Sequence, residues 1–111
     1  MEQKKSIFLR TFGDTPILRV LDFLVTHRRY DYSMTDISIN AGVGYTTLKS
    51  FWKELINKDI VKQTRTVGKA KMYQLNRNNP TVNLFLKLYN TIVEKETEKI
   101  IGKKLLLTKI N

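Results

Sequence analysis

Cysteine is absent from the 111 residues, and His27 is the only histidine. Disulfides, thiolate nucleophiles and Cys-based zinc sites are therefore excluded. There is no HExxH pair, no glycine-rich phosphate loop and no paired-carboxylate arrangement, so catalysis has little to draw on. His27 falls near the end of a predicted helix, where an imidazole caps or faces solvent rather than acting as a base. No apolar run approaches the roughly 18 residues that would span a bilayer. The first ten residues carry no sustained apolar stretch and no small-residue cleavage site, so a cytoplasmic location is expected. No metal, cofactor or small-molecule substrate is indicated.

Acid is scarce in one segment in particular. Residues 44–78 hold eight basic side chains (Lys49, Lys53, Lys58, Lys62, Arg65, Lys69, Lys71 and Arg77) against only Glu54 and Asp59. That segment carries +6 of the chain's formal +10, whereas residues 1–43 are nearly balanced, six basic against five acidic. A polyanion beside it would shed counterions as its phosphates are neutralised, which drives association whatever its sequence. Nucleic acid is the favoured partner of such a balance, and an anionic membrane surface the weaker one. The 41% apolar composition supports one small domain with its own core plus an appended element.

Glycine and proline number only five and two, so each marks a break. Residues 1–13 read as an N-terminal arm anchored by Ile7, Phe8, Leu9 and Phe12. Thr15 and Pro16 open a helix as cap and first-turn proline, and Ile17, Val20, Leu21, Leu24 and Val25 give it one apolar face to about His27. Residues 28–32 form a polar-aromatic connector, with Tyr30 and Tyr32 packing the start of a short strand or stacking on nucleic acid. Ser33 and Asp36 have capping-box spacing for a short helix, which Gly42 stops in the left-handed conformation. Asp14 also reads as a cap, and Asp22 as a surface charge. The next helix, 45–58, buries Leu48, Phe51, Trp52 and Leu55 at i, i+3, i+4, i+7. Residues 60–67 and 70–75 then read as two strands about a Gly68–Lys69 turn. Asn79 and Pro80 open a last helix to about residue 101, Gly102 is its expected stop, and 102–111 form a tail of unassigned role.

Two helices joined at a glycine and followed by a basic ribbon predict an α+β fold. It is a winged helix-turn-helix, with a three-helix core, a two-stranded β wing (domain 14–78) and an additional C-terminal helix. The second helix of such a unit projects its first turns into the major groove. Elimination of the buried stripe leaves Tyr45, Thr46, Thr47, Lys49, Ser50 and Lys53 facing outward. Hydroxyls bond base edges or phosphates, a threonine methyl meets a thymine methyl, and lysines suit phosphates as flexible point charges. The absence of Arg, Asn and Gln from these turns predicts moderate base specificity. In the ribbon, Arg65, Lys69 and Lys71 flank the turn, either to reach a minor groove and its phosphates or to keep an exposed edge from pairing.

These residues carry a resemblance. Residues 12–24 (FGDTPILRVLDFL), 31–33 (DYS) and 42–48 (GVGYTTL) with Trp52 resemble the archaeal winged helix-turn-helix transcriptional regulators. So do 60–61 (IV), 64–65 (TR), 67–70 (VGKA), 73–76 (YQLN) and 79–80 (NP). The likeness spans about residues 12–93 and implies a small DNA-binding regulator. The last helix is apolar on more than one face, so one face is free for a partner. Phe85, Leu88, Tyr89, Ile92 and Val93 are the expected contacts of a homodimer, unless the arm or residues 105–107 cover them within one chain. The expected function is a DNA-binding transcriptional regulator on double-stranded DNA. The alternative is a protein-interaction winged helix, an assembly or partition adaptor.

Overall fold

The computed structural model describes residues 5–110, and side chains over 5–106. Five helices and three strands follow in the order α1 (Ile7–Phe12), α2 (Pro16–Thr26), β1 (Tyr32–Ser33), α3 (Met34–Ala41), α4 (Tyr45–Asn57), β2 (Val61–Val67), β3 (Ala70–Leu75) and α5 (Pro80–Ile110). Helices α2, α3 and α4 pack around Val20, Leu24, Val25, Ile37, Val43, Leu48, Trp52 and Leu55, all buried. The strands form one antiparallel sheet ordered β1–β3–β2, so the ribbon is flanked by the short strand that follows α2. Tyr73 and Leu75, two residues apart on β3, both turn into the core, as strand alternation requires.

Local signals account for the helix boundaries. The Thr15 hydroxyl accepts from the Leu18 N–H, with Pro16 in the first turn. The Ser33 hydroxyl accepts from the Asp36 N–H. Gly42 takes φ 66°, and its N–H reaches the Ile39 and Ser38 carbonyls. A side chain there would be strained, since Cβ crowds the carbonyl in that region of backbone space.

Several expectations are corrected. Residues 7–12 of the arm form a helix, capped by the Ser6 hydroxyl on the Leu9 N–H, and bury Phe8 and Leu9 in the core; residues 1–4 lie outside the described residues. Asp14 is not a cap but the partner of the Arg19 guanidinium and of Lys5. Asp22 is not a bare surface charge, because it accepts from Ser6 Oγ at 3.0 Å and from Tyr89 Oη at 2.7 Å. Phe51 is half-buried at the edge of its stripe. Tyr32 packs on Phe23 and His27, whereas Tyr30 is 69% exposed.

The largest departure is α5, which continues through Gly102 to Ile110. A single glycine costs a helix only about 1 kcal/mol relative to alanine, and the lysines and leucines that follow sustain it. At 31 residues, α5 is roughly 46 Å long by its rise per residue. It extends the molecule to 60 × 35 × 24 Å. Val82, Leu86 and Tyr89 bury its first turns, while Val93, Ile100, Ile101, Leu105 and Leu106 are exposed beyond them. Among the described residues, no helix is long and apolar enough to cross a membrane.

Candidate nucleic-acid interface

Placement of α4 begins with the turn that precedes it. The Val43 N–H donates to the Ser38 carbonyl, and the Ser38 hydroxyl returns a bond to the Val43 carbonyl. Ser38 thus ties the turn through both its carbonyl and its hydroxyl. From α2, Arg19 Nη1 donates to the Gly42 carbonyl at 3.1 Å, and Asp14 grips the same guanidinium through Nε and Nη2. That pair holds the Asp14 carboxyl down at about 2, below its ordinary 3.8. The Asp14–Arg19 brace orients α4, and sequence spacing did not reveal it.

Gly44 precedes α4 without a side-chain cap, so the first-turn N–H groups point outward with the positive end of the helix dipole. Leu48, Trp52 and Leu55 face the core, with Trp52 edge-on to Tyr73 at 5.1 Å between ring centres. Tyr45 is 47% exposed, and Thr46, Thr47, Lys49, Ser50 and Lys53 are all exposed. The six outward residues thus share one solvent face, although the Ser50 hydroxyl donates to the Thr47 carbonyl of its own helix.

In the wing, Val67 pairs with Ala70 around Gly68–Lys69, and Gly68 adopts φ 61°. Lys69 and Lys71 are exposed at this tip. Arg65 differs: its Nε and Nη2 meet Asp31 Oδ2 and Oδ1 at 2.9 and 3.1 Å. The Arg65 guanidinium, with the Thr64 hydroxyl, pulls the Asp31 carboxyl below the usual carboxylate range. The Asp31–Arg65 pair is a second contact that sequence reasoning missed, since the partners lie 34 positions apart.

Charge on this face is free. Among the described residues, ion pairs join Lys5 and Arg19 to Asp14, Lys58 to Glu54, Arg65 to Asp31 and Lys95 to Glu98. None engages Lys49, Lys53, Lys69 or Lys71. Among the described residues, no group of His, Cys, Asp and Glu is placed to hold a metal ion.

The residues expected at a dimer contact are divided. Tyr89 is buried and donates to Asp22. Phe85 is half-buried, edge-on to Phe8 at 5.4 Å, and Phe8 also lies 5.3 Å from the Tyr89 ring. Phe85 and Tyr89 therefore seat α5 on α1 of their own chain, and Tyr89, expected at a partner, is instead buried within its own chain. Leu88 and Val93, 45% and 38% exposed, face outward, and Ile92 is half-buried.

The helix-turn-helix, the ribbon and the long terminal helix define a winged-helix domain with an appended helix. Solved structures share that fold. The antimony-specific transcriptional repressor AntR matches at TM-score 0.58 and 18% identity, over 83% of this chain and 78% of its own. MepR, a transcription regulator of the Staphylococcus aureus multidrug efflux pump MepA, matches at 0.59 and 16%, over 92% and 80%. CouR, a transcriptional repressor bound to a 23-mer DNA duplex, matches at 0.55 and 13%, over 94% and 81%. No family model matches the chain, and no curated protein does.

Proposed function

We propose that the chain is a DNA-binding transcriptional regulator that seats α4 in the major groove and its wing on the adjacent groove or phosphates. The observation that carries this reading is the set of unpaired lysines, Lys49 and Lys53 on α4 and Lys69 and Lys71 on the wing, flanking the exposed Tyr45–Thr46–Thr47 tip. Cations without protein partners are those whose phosphate contacts release counterions. Neighbours of the same fold that are described as transcriptional regulators, one with DNA bound, support the same function. Arg65 enters the interface already paired, so the wing's phosphate contacts fall to Lys69 and Lys71.

The regulator is a cytoplasmic homodimer in this reading. Exposed Leu88 faces outward beside the seated turns of α5, and exposed Val93, Ile100, Ile101, Leu105 and Leu106 run on beyond the domain edge; such a length of exposed apolar helix is a liability in a monomer. Two-fold pairing would set the recognition helices about 34 Å apart, one turn of duplex.

The test is a salt titration of binding to random and genomic-fragment duplexes, with the mass measured by light scattering in the same buffer. Tight binding that falls steeply with salt, together with a dimer mass, supports the reading. Weak, salt-indifferent binding overturns it in favour of a protein-interaction adaptor.

A further inference from the structure

Successive side chains of a strand point to opposite faces, yet Thr64 and Arg65 converge on one carboxylate. The cause is a slip in the β2–β3 register: Gln63 lies opposite Tyr73, and Arg65 opposite Met72. Thr64 is the inserted residue, and a bulge of this kind re-aims a side chain and sharpens the local twist. The Thr64 hydroxyl donates to Asp31 Oδ2, beside the two-pronged bond from Arg65. The Asp31 side chain is only 15% exposed while that of Arg65 is 64%, so the carboxylate is the fixed member of the group.

Asp31 precedes β1, which occupies the edge of the sheet opposite β2. Its carboxylate thus ties the two edges together across β3, at the point where β2 bends. The turn lies only three residues beyond Arg65, roughly 10 Å at the rise of a strand. A change of about 20° in the bend at the bulge would move the tip by roughly 3 Å, enough to take a lysine out of hydrogen-bonding range of a phosphate.

We propose that Asp31 is the positioning residue of the wing: it locks the Thr64–Arg65 bulge and so sets the angle at which Lys69 and Lys71 meet DNA. Arg65 serves that lock and not a phosphate. This rests on the DNA-binding reading above, which assigns the two lysines their partner. It also gives the wing an electrically neutral joint beneath a cationic tip, since the Arg65 charge is matched by Asp31.

The test combines amide hydrogen exchange of the free protein with salt titrations of duplex binding, on Asp31→Asn, Arg65→Gln and Arg65→Lys. With Asp31→Asn and Arg65→Gln, exchange at Val67 and Met72, whose pairs are the hydrogen-bonded ones of the ribbon, should quicken about tenfold as it loosens. Duplex affinity should fall about three- to tenfold in both, even though Asp31→Asn makes the protein more cationic. The salt slope should stay at the wild-type value, and Arg65→Lys should behave like Arg65→Gln, because lysine lacks the two-pronged fork. Three results would overturn the assignment: unchanged exchange, tighter binding by Asp31→Asn, or a slope reduced by about one in Arg65→Gln and kept in Arg65→Lys. Should the wild type bind no duplex, the DNA reading fails, and the exchange measurement still decides the lock.

Discussion

Replacing Phe8 with alanine removes a ring that is 2% exposed and lies 5.3–5.4 Å from the rings of Phe12, Phe85 and Tyr89. Deletion of a fully buried phenylalanine costs about 3–5 kcal/mol through lost transfer energy and the cavity left behind. Against a total of roughly 5–15 kcal/mol for a domain of this size, that is a large share. It corresponds to a fall in thermal midpoint of roughly 12–40 °C at about 4–8 °C per kcal/mol. The assay is equilibrium urea unfolding of Phe8→Ala, with Leu84→Ala as control. Leu84 is 68% exposed on α5, so its truncation should change stability by no more than about 0.5 kcal/mol. A loss below about 1 kcal/mol for Phe8→Ala would refute the reasoning, because α1 would then be a loose arm and not the seat of α5.

Other expectations follow from single residues. Gly42→Ala should destabilise by about 1–2 kcal/mol through its left-handed backbone alone, since the nearest atom to an added Cβ, Arg19 Nη1, lies 3.8 Å away; urea unfolding measures it. The Asp14 carboxyl sits at about 2 in the fold against 3.8 unperturbed, so its stabilising contribution is complete above about pH 4 and is lost as pH falls towards 2. An Asp14→Asn variant should therefore show a shallower acid limb in stability against pH, and an identical limb would remove the Asp14–Arg19 brace from the account. Thr47→Ala should change which duplexes are preferred more than it changes affinity for random duplex, as read by selection from a mixed pool.

Much of the fold was legible because its signals are local. Thr15 with Pro16, Ser33 with Asp36, and the left-handed Gly42 each act within a turn, and Leu48, Trp52 and Leu55 are one stripe of one helix. What escaped was carried by distance. Asp22 meets partners 16 and 67 positions away, and Asp31 meets Arg65 at 34, which no spacing argument links. The α1 helix is six residues long, too short for a periodic pattern, although Ser6 before Ile7, Phe8 and Leu9 was a usable cap signal. Gly42 and Gly102 look alike in sequence; the first ends a short helix against a packed turn, whereas the second is flanked by strong helix formers. At the candidate interface, the outward residues of α4 followed from elimination. The pairing of Arg65 with Asp31 did not, and it separates the paired arginine of the wing from its free lysines.

The central claim is tested most directly by the salt dependence of duplex binding for the wild type beside the Lys49→Ala/Lys53→Ala double variant. Four unpaired lysines per chain predict a slope of log K against log salt near −3.6 for one protomer and about −7 for a dimer. The double variant should bind every duplex more weakly and lose about 1.8 from the slope per protomer, with its fold intact. Unchanged affinity and slope in that variant would contradict the account, because α4 would then not be the element that meets DNA.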